Sequence, residues 1–277
     1  MGTLARTWKL YQASFEVLNA DIEMLLFPVM SGAAALAVAA SFLLPMHQTG
    51  LLQQLSKGEA NWEVYAILFA YYFALYAVIL FFNGALTVCA YIRLSGGDPT
   101  VRDGLRIAFS RMHRILAWAL VAATAGLVLQ WLRGRRSRGA GVLGAVAGVS
   151  WTLITFLILP VLLFEDRGIF DSIQRSAALF RKHWGEQLTG SFGFGLLNFL
   201  LTLPALALGT LIWPLDKPAA VIISVVYLLI LAVVLSAARG VFTVALYRYA
   251  TAGQGSRGFT AELIEDTLSK GRKVQWP

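Results

Sequence analysis

The chain has 277 residues, of which 58% are hydrophobic and only 14% charged, and its mean hydropathy is +0.67. A soluble domain carries about 25% charged residues, so a surface facing water throughout is excluded and the class is integral membrane. The single cysteine, Cys89, excludes an intramolecular disulfide framework, and no aromatic–basic module that reads nucleic acid accompanies the net charge of +8.

In chain order, Leu4, Trp8, Tyr11, Phe15 and Leu18 recur at helical spacing with Arg6, Lys9 and Gln12 off the stripe. This predicts an amphipathic helix near 4–20 at the headgroup level. A spanning helix needs about 20 apolar residues, and uncharged runs at 24–44 and 64–92 meet that requirement. Val101, Leu105, Ala108, Phe109 and Met112 then form a second amphipathic stripe, near 99–113. Asp98-Pro99 is the expected start signal. Two further apolar segments follow at 115–132 and 140–164, separated by the basic loop Arg133–Arg138. Ile169, Ile173, Ser176, Ala177, Phe180 and Trp184 make a third stripe, near 168–184. The last segments run over 187–211, closed by Trp213-Pro214, and over 219–247, interrupted only by Arg239. The expected fold class is all-α: one integral membrane domain, 1–277, with six spans and amphipathic interfacial helices.

Orientation follows the distribution of Lys and Arg. With the N-terminus inside, the cytoplasmic segments hold sixteen basic residues and the opposite side six. Both ends are therefore expected in the cytoplasm, in the cell membrane. The loop Arg133–Arg138 opposes this arrangement, and a re-entrant hairpin over 115–164 would keep it inside. A cleaved signal peptide is not expected. The leading region is amphipathic and carries Glu16, Asp21 and Glu23, although Ala37-Val-Ala39 imitates a cleavage site. No Asn-x-Ser/Thr acceptor occurs.

The second and third stripes align at an offset of 68: Val101 on Ile169, Asp103 on Asp171, Leu105 on Ile173, Met112 on Phe180 and Arg114 on Lys182. Ser14–Leu18 matches Ser176–Phe180 more faintly. One reading is three units of surface helix plus hairpin, as in membrane proteins that build a site at a repeat interface. The other is that any cytoplasmic amphipathic helix produces such a match.

Pro160–Glu165, followed by Ser172-Ile-Gln-Arg-Ser-Ala-Ala-Leu-Phe-Arg-Lys-His-Trp-Gly-Glu186, resembles an uncharacterised prokaryotic family of six-pass membrane proteins, as does Ala245-Leu-Tyr-Arg-Tyr-Ala250. That resemblance covers most of the chain and implies no known activity. More distantly, the proline, acidic residue and surface helix are similar to the membrane domain attached to some glycerophosphodiester phosphodiesterases. That likeness carries no catalytic residues.

Gly139-Ala-Gly-Val-Leu-Gly144 matches the dinucleotide fingerprint literally, but it lacks the strand before it and the βαβ context. Gly144-x-x-x-Gly148 reads better as a small-residue packing face. His47, His113 and His183 lack metal-ligand spacing, and no metalloprotease, phosphate-loop or nucleophile-elbow motif occurs. No metal, cofactor or catalytic residue is expected.

Arg239 is the residue that most needs an explanation, since a charge at the centre of a span costs roughly 2.5–3.5 kcal/mol. Snorkelling, a structural partner (Glu165 or Asp166) and an anionic substrate are three ways to meet that cost. Asn83 and Asn198 are further polar groups within spans. Gly190, Gly193, Gly195 and Pro204 either loosen the fifth span or let it pack closely.

Two functions follow as expectations. The first is a non-enzymatic membrane-organising, sensing or accessory protein. Its headgroup contacts would be Arg102, Arg106, Arg114, Arg175, Arg181, Lys182 and Trp184. Its partners would be membrane lipids, chiefly anionic, and a second copy or other membrane proteins, without nucleic acid. The second is a transporter or lipid-handling permease, with Arg239, Asn83, Asn198 and Glu165 as substrate-facing residues.

Overall fold

The structure is a computed structural model. It describes the chain apart from residues 1–2, 58–60, 135–147, 149, 185–192, 215, 254–258 and 260–277. Side chains at 3–7, 56, 127, 129–134, 183–184 and 193–198 also lie outside the description. Among the described residues there are ten α-helices and no strand. They are α1 (Thr3–Ala20), α2 (Leu26–Gln48, entered through a 3₁₀ turn), α3 (Leu51–Lys57), α4 (Trp62–Leu94) and α5 (Val101–Ser110). The rest are α6 (Met112–Gly134), α7 (Ile158–Phe164), α8 (Ile169–Trp184), α9 (Gly193–Ile212) and α10 (Lys217–Ala252). Among the described residues, three helical stretches are long and apolar enough to cross a membrane: Ile22–Gln48, Trp62–Leu94 and Lys217–Ala252. Ser150–Phe164 and Phe199–Ile212 are shorter apolar helices. The chain divides into two compact units, one of Met1–Leu26, Cys89–Thr100 and Ala178–Pro277, the other of Phe27–Val88 and Val101–Ala177.

In the first unit, α1 packs on α9 and α10, which form a hairpin. Asp216 caps α10, its side chain accepting from the Ala219 N–H at 3.0 Å, and Pro218 sits in the first turn. Gly253, at φ 68°, ends the same helix in the left-handed conformation. Two cross-hairpin bonds join the helices: the Ser224 hydroxyl donates to the Ala205 carbonyl at 3.1 Å, and the Tyr227 hydroxyl to the Leu201 carbonyl at 2.9 Å. Gly209 permits the approach, because a Cβ there would lie 2.9 Å from Ser224 Oγ. The outer part of α10 exposes Val221, Ile222, Ile223, Leu229 and Ile230, whereas its C-terminal half buries Ala237, Ala238, Val241, Phe242 and Ala245. This helix, Lys217–Ala252, is long and apolar enough to cross a membrane.

The buried face of α1 is rotated from the predicted stripe. Leu10, Tyr11, Ser14, Val17 and Leu18 are buried, while Trp8 is exposed. The face is set by contact with α9 and α10, so small Ser14 turns inward and its hydroxyl donates to the Leu10 carbonyl at 3.0 Å.

In the second unit, Gly84 of α4 marks a point of convergence. A Cβ there would meet Ile115 at 3.5 Å, Leu163 at 3.8 Å and Ala108 at 3.9 Å. Trp118 stacks on Trp151 with centroids 5.8 Å apart, beside Ile158 and Leu162. Two boundaries differ from expectation. The segment predicted as one span over 140–164 is interrupted by a turn at residues 155–157, just before α7. The amphipathic stretch near 99–113 is likewise split: α5 ends at Ser110 and Met112 opens α6. Asp98 is not the N-cap of α5, because the helix begins at Val101 and Asp98 instead pairs with Arg93.

Candidate functional site

The surface helices α5 and α8 present the site. Each buries short side chains: Gly104 and Ala108 on α5, Ser172 and Ser176 on α8. These four correspond at the offset of 68, and short residues four apart let a helix backbone lie close to its neighbours. Phe109 and Phe170 face outward, 68% and 74% exposed, whereas Phe180 of α8 is buried with Leu179. Arg102 and Arg106 flank the Val101–Leu105–Phe109 ridge, and Arg181 and Lys182 are exposed on α8. The side chain of Trp184 lies outside the described residues.

Ser176 does more than pack. Its oxygen accepts the Leu157 N–H at 3.2 Å, and its hydroxyl donates to the Ile154 carbonyl at 2.6 Å. Both partners border the turn at 155–157, where the helical ladder is broken, so a fully buried hydroxyl supplies the bonds that the break removes.

Arg114 and Arg175, expected at the headgroups, are both engaged by the turn between α7 and α8. The Arg114 side chain is only 17% exposed; it pairs with Asp166 and donates to the Glu165 carbonyl at 2.9 Å. Arg111 reaches Asp166 at 2.9 Å. Arg175 and Arg167 reach Glu165 at 3.1 and 2.6 Å. Two carboxylates among four arginines leave the turn between α7 and α8 net positive. The hydrogen bond from Arg114, then that from Arg111, holds the Asp166 carboxyl below its ordinary range. Asp166 is therefore ionised near neutral pH and is not poised to donate a proton.

A second cluster lies in the first unit. Arg93, at the end of α4, pairs with half-buried Asp21 and with Asp98 at 2.6 Å. Gly96 (φ 88°) makes this turn: its N–H bonds to the Arg93 carbonyl, and the Gly97 N–H to that of Ile92 at 2.9 Å. The Arg248 guanidinium lies 5.4 Å from the Tyr91 ring centroid and donates to Ser95 Oγ at 2.7 Å. Neither cluster was read from the sequence. The only signal was the coincidence of charged residues with helix ends.

Of the residues proposed to face a substrate, Arg239 is exposed on α10 and makes no ion pair among the described residues. Its charge reaches Tyr11, whose phenol is pushed up by burial and drawn part of the way back by Arg239. Asn83 is half-buried on α4, in the other unit. The side chain of Asn198 lies outside the described residues. Glu165 and Asp166, considered as partners for Arg239, are engaged by the arginines named above. The Gly139–Gly144 match, Gly190 and the Arg135–Arg138 part of the basic loop lie outside the described residues. Pro204 lies within α9, which continues through it. Cys89 is buried. His47 and His113 are exposed on separate helices, and no group of potential metal ligands occurs among the described residues.

Fold and surface define an all-α protein with membrane-length helices and outward-facing aromatic and basic side chains on two amphipathic helices. Residues 63–259 match the model of a family of unknown function, DUF6159, and the chain belongs to that family. No curated protein and no solved structure matches it.

Proposed function

We propose that the protein is a non-enzymatic, six-span component of the cell membrane, with both termini cytoplasmic, that organises or senses the bilayer through basic surface helices held at an anionic headgroup layer. One observation carries this reading: α5 and α8 expose Phe109 and Phe170 on the same two helices that expose Arg102, Arg106, Arg181 and Lys182. An amphipathic helix of this composition inserts its aromatics at the acyl boundary and sets its cations among anionic headgroups. Near an anionic surface each cation contributes about 1 kcal/mol.

The test is lipid selectivity around the full chain, reconstituted in bilayers of phosphatidylglycerol and phosphatidylcholine. Spin-labelled lipid of each type reports enrichment at the protein surface. Phosphatidylglycerol is expected to be enriched, and the R102Q/R106Q/R181Q/K182Q variant is expected to lose most of that enrichment. Equal partitioning of the two lipids around the natural chain would overturn the proposal.

A further inference from the structure

The second unit contains an open groove of about 790 Å³ lined by Met30 of α2, Phe81 and Phe82 of α4, and Val101, Leu105 and Phe109 of α5, with Arg102 and Arg106 also on its lining. We infer that this groove is a specific site for one anionic phospholipid, whose acyl chain lies against the aromatics while Arg102 and Arg106 hold its phosphate. The inference rests on the proposed membrane-surface role and narrows it from a diffuse basic face to a single built site.

Three observations support that occupant. First, α2 and α4 are two of the helices long and apolar enough to cross a membrane, so their walls of the groove lie at the level of lipid chains. Met30, Phe81, Phe82, Val101, Leu105 and Phe109 offer a continuous hydrocarbon and aromatic surface with no charged group of their own. A water-soluble anion has no use for that surface, whereas an acyl chain does.

Second, the two cations are placed for one phosphate. Arg102 and Arg106 are four residues apart on α5 and so project from adjacent turns of one face. Val101, Leu105 and Phe109, also at intervals of four, run beside them. The helix thus carries an apolar ridge and a cationic ridge side by side, which matches the two parts of a phospholipid.

Third, these arginines are available. Arg102 is exposed and makes no ion pair among the described residues. Arg106 meets Asp103 at 3.3 Å, with its own side chain 75% exposed. A surface pair of that kind is weak and yields readily to a phosphate with several acceptor oxygens. Arg111 and Arg114, beyond the end of α5, are already committed to Asp166 and are not part of the site.

The experiment is native mass spectrometry of the full chain released from bilayers of phosphatidylglycerol and phosphatidylcholine, with dissociation constants obtained by titrating phosphatidylglycerol into delipidated protein. One phosphatidylglycerol is expected to remain bound after annular lipid is removed. R102Q/R106Q is expected to weaken that binding by about tenfold or more, since charge-assisted bonds are lost. L105W fills the groove and leaves both arginines in place; it is expected to weaken binding comparably. K57Q/K217Q alters two exposed cations that neither proposed contact uses and is expected to leave the retained lipid unchanged. Inorganic phosphate at the same concentration is expected not to displace the lipid.

If R102Q/R106Q and L105W both retain the lipid as the natural chain does, the site is refuted. If all three variants weaken binding equally, the attraction is diffuse and the site is likewise refuted, while the proposed role stands. Displacement by inorganic phosphate would refute the acyl-chain component. Absence of any preference for phosphatidylglycerol in the natural chain would remove both readings.

Discussion

Replacing Ser176 with alanine isolates the bond that mends the helix break. Ser176 is fully buried, its oxygen accepts the Leu157 N–H at 3.2 Å, and its hydroxyl donates to the Ile154 carbonyl at 2.6 Å. Ser176→Ala removes both contacts at once and leaves the Leu157 amide without this acceptor. A buried donor left unsatisfied costs roughly 1–3 kcal/mol, and a lost neutral bond about 1 kcal/mol. The expected loss is therefore about 2–3 kcal/mol. Ser172, one turn earlier and equally buried, serves as the control. Its hydroxyl donates to the Gly168 carbonyl at 2.8 Å, and that carbonyl also accepts the Ser172 N–H at 2.9 Å. Ser172→Ala leaves the carbonyl satisfied and is expected to cost about 0.5–1 kcal/mol. Thermal unfolding of the reconstituted chain, followed by circular dichroism, ranks the two variants. Hydrogen exchange then shows whether protection is lost over residues 154–158 in Ser176→Ala alone. Equal costs for the two variants, or a Ser176→Ala cost below about 0.5 kcal/mol, would refute the role given to Ser176.

Gly209→Ala is expected to destabilise the α9–α10 hairpin by about 1 kcal/mol, because its Cβ displaces Ser224 Oγ from the Ala205 carbonyl. Combined with Ser224→Ala it is expected to cost less than the sum of the single changes, measured as a double-mutant cycle in thermal unfolding. The depressed native pKa of Asp166 makes its contribution complete above its ordinary value of 3.8 and lost as the pH falls through the lower native value. Asp166→Asn is expected to flatten the acid limb of the stability–pH curve, recorded by unfolding between pH 5 and pH 2. The orientation is checked by single cysteines in a Cys89→Ser background. Position 135 is expected to react with an impermeant reagent from outside, and position 270 only from the cytoplasm. Labelling of 135 only from the cytoplasm would replace the two spans over 115–164 with a re-entrant hairpin.

Helical class and the presence of membrane-length apolar helices were legible because they depend on local properties. Long uncharged runs such as those around Ala74 and Val233 form helices long and apolar enough to cross a membrane, where backbone groups must bond within their own segment. The amphipathic character of α5 and α8 was equally local, and the correspondence of Gly104 with Ser172 and of Ala108 with Ser176 was already present in the 68-residue offset. Which face each helix buries was not legible. Periodicity placed Trp8, Phe109 and Phe180 alike on apolar stripes, yet Trp8 and Phe109 are exposed while Phe180 is buried.

Ion pairing was the other decision left to tertiary structure. By charge alone Arg102, Arg106, Arg114 and Arg175 are equivalent cations on basic helices. Folding brings Glu165 and Asp166 against the last two and leaves the first two beside a groove. The sequence by itself determined a helical chain with membrane-length apolar runs and basic helices between them, because hydrophobicity and helical period act over a few turns. Only the tertiary structure decided which arginines are paired and with which carboxylate, because Arg111 and Arg114 meet Asp166 from more than 50 residues away in the chain.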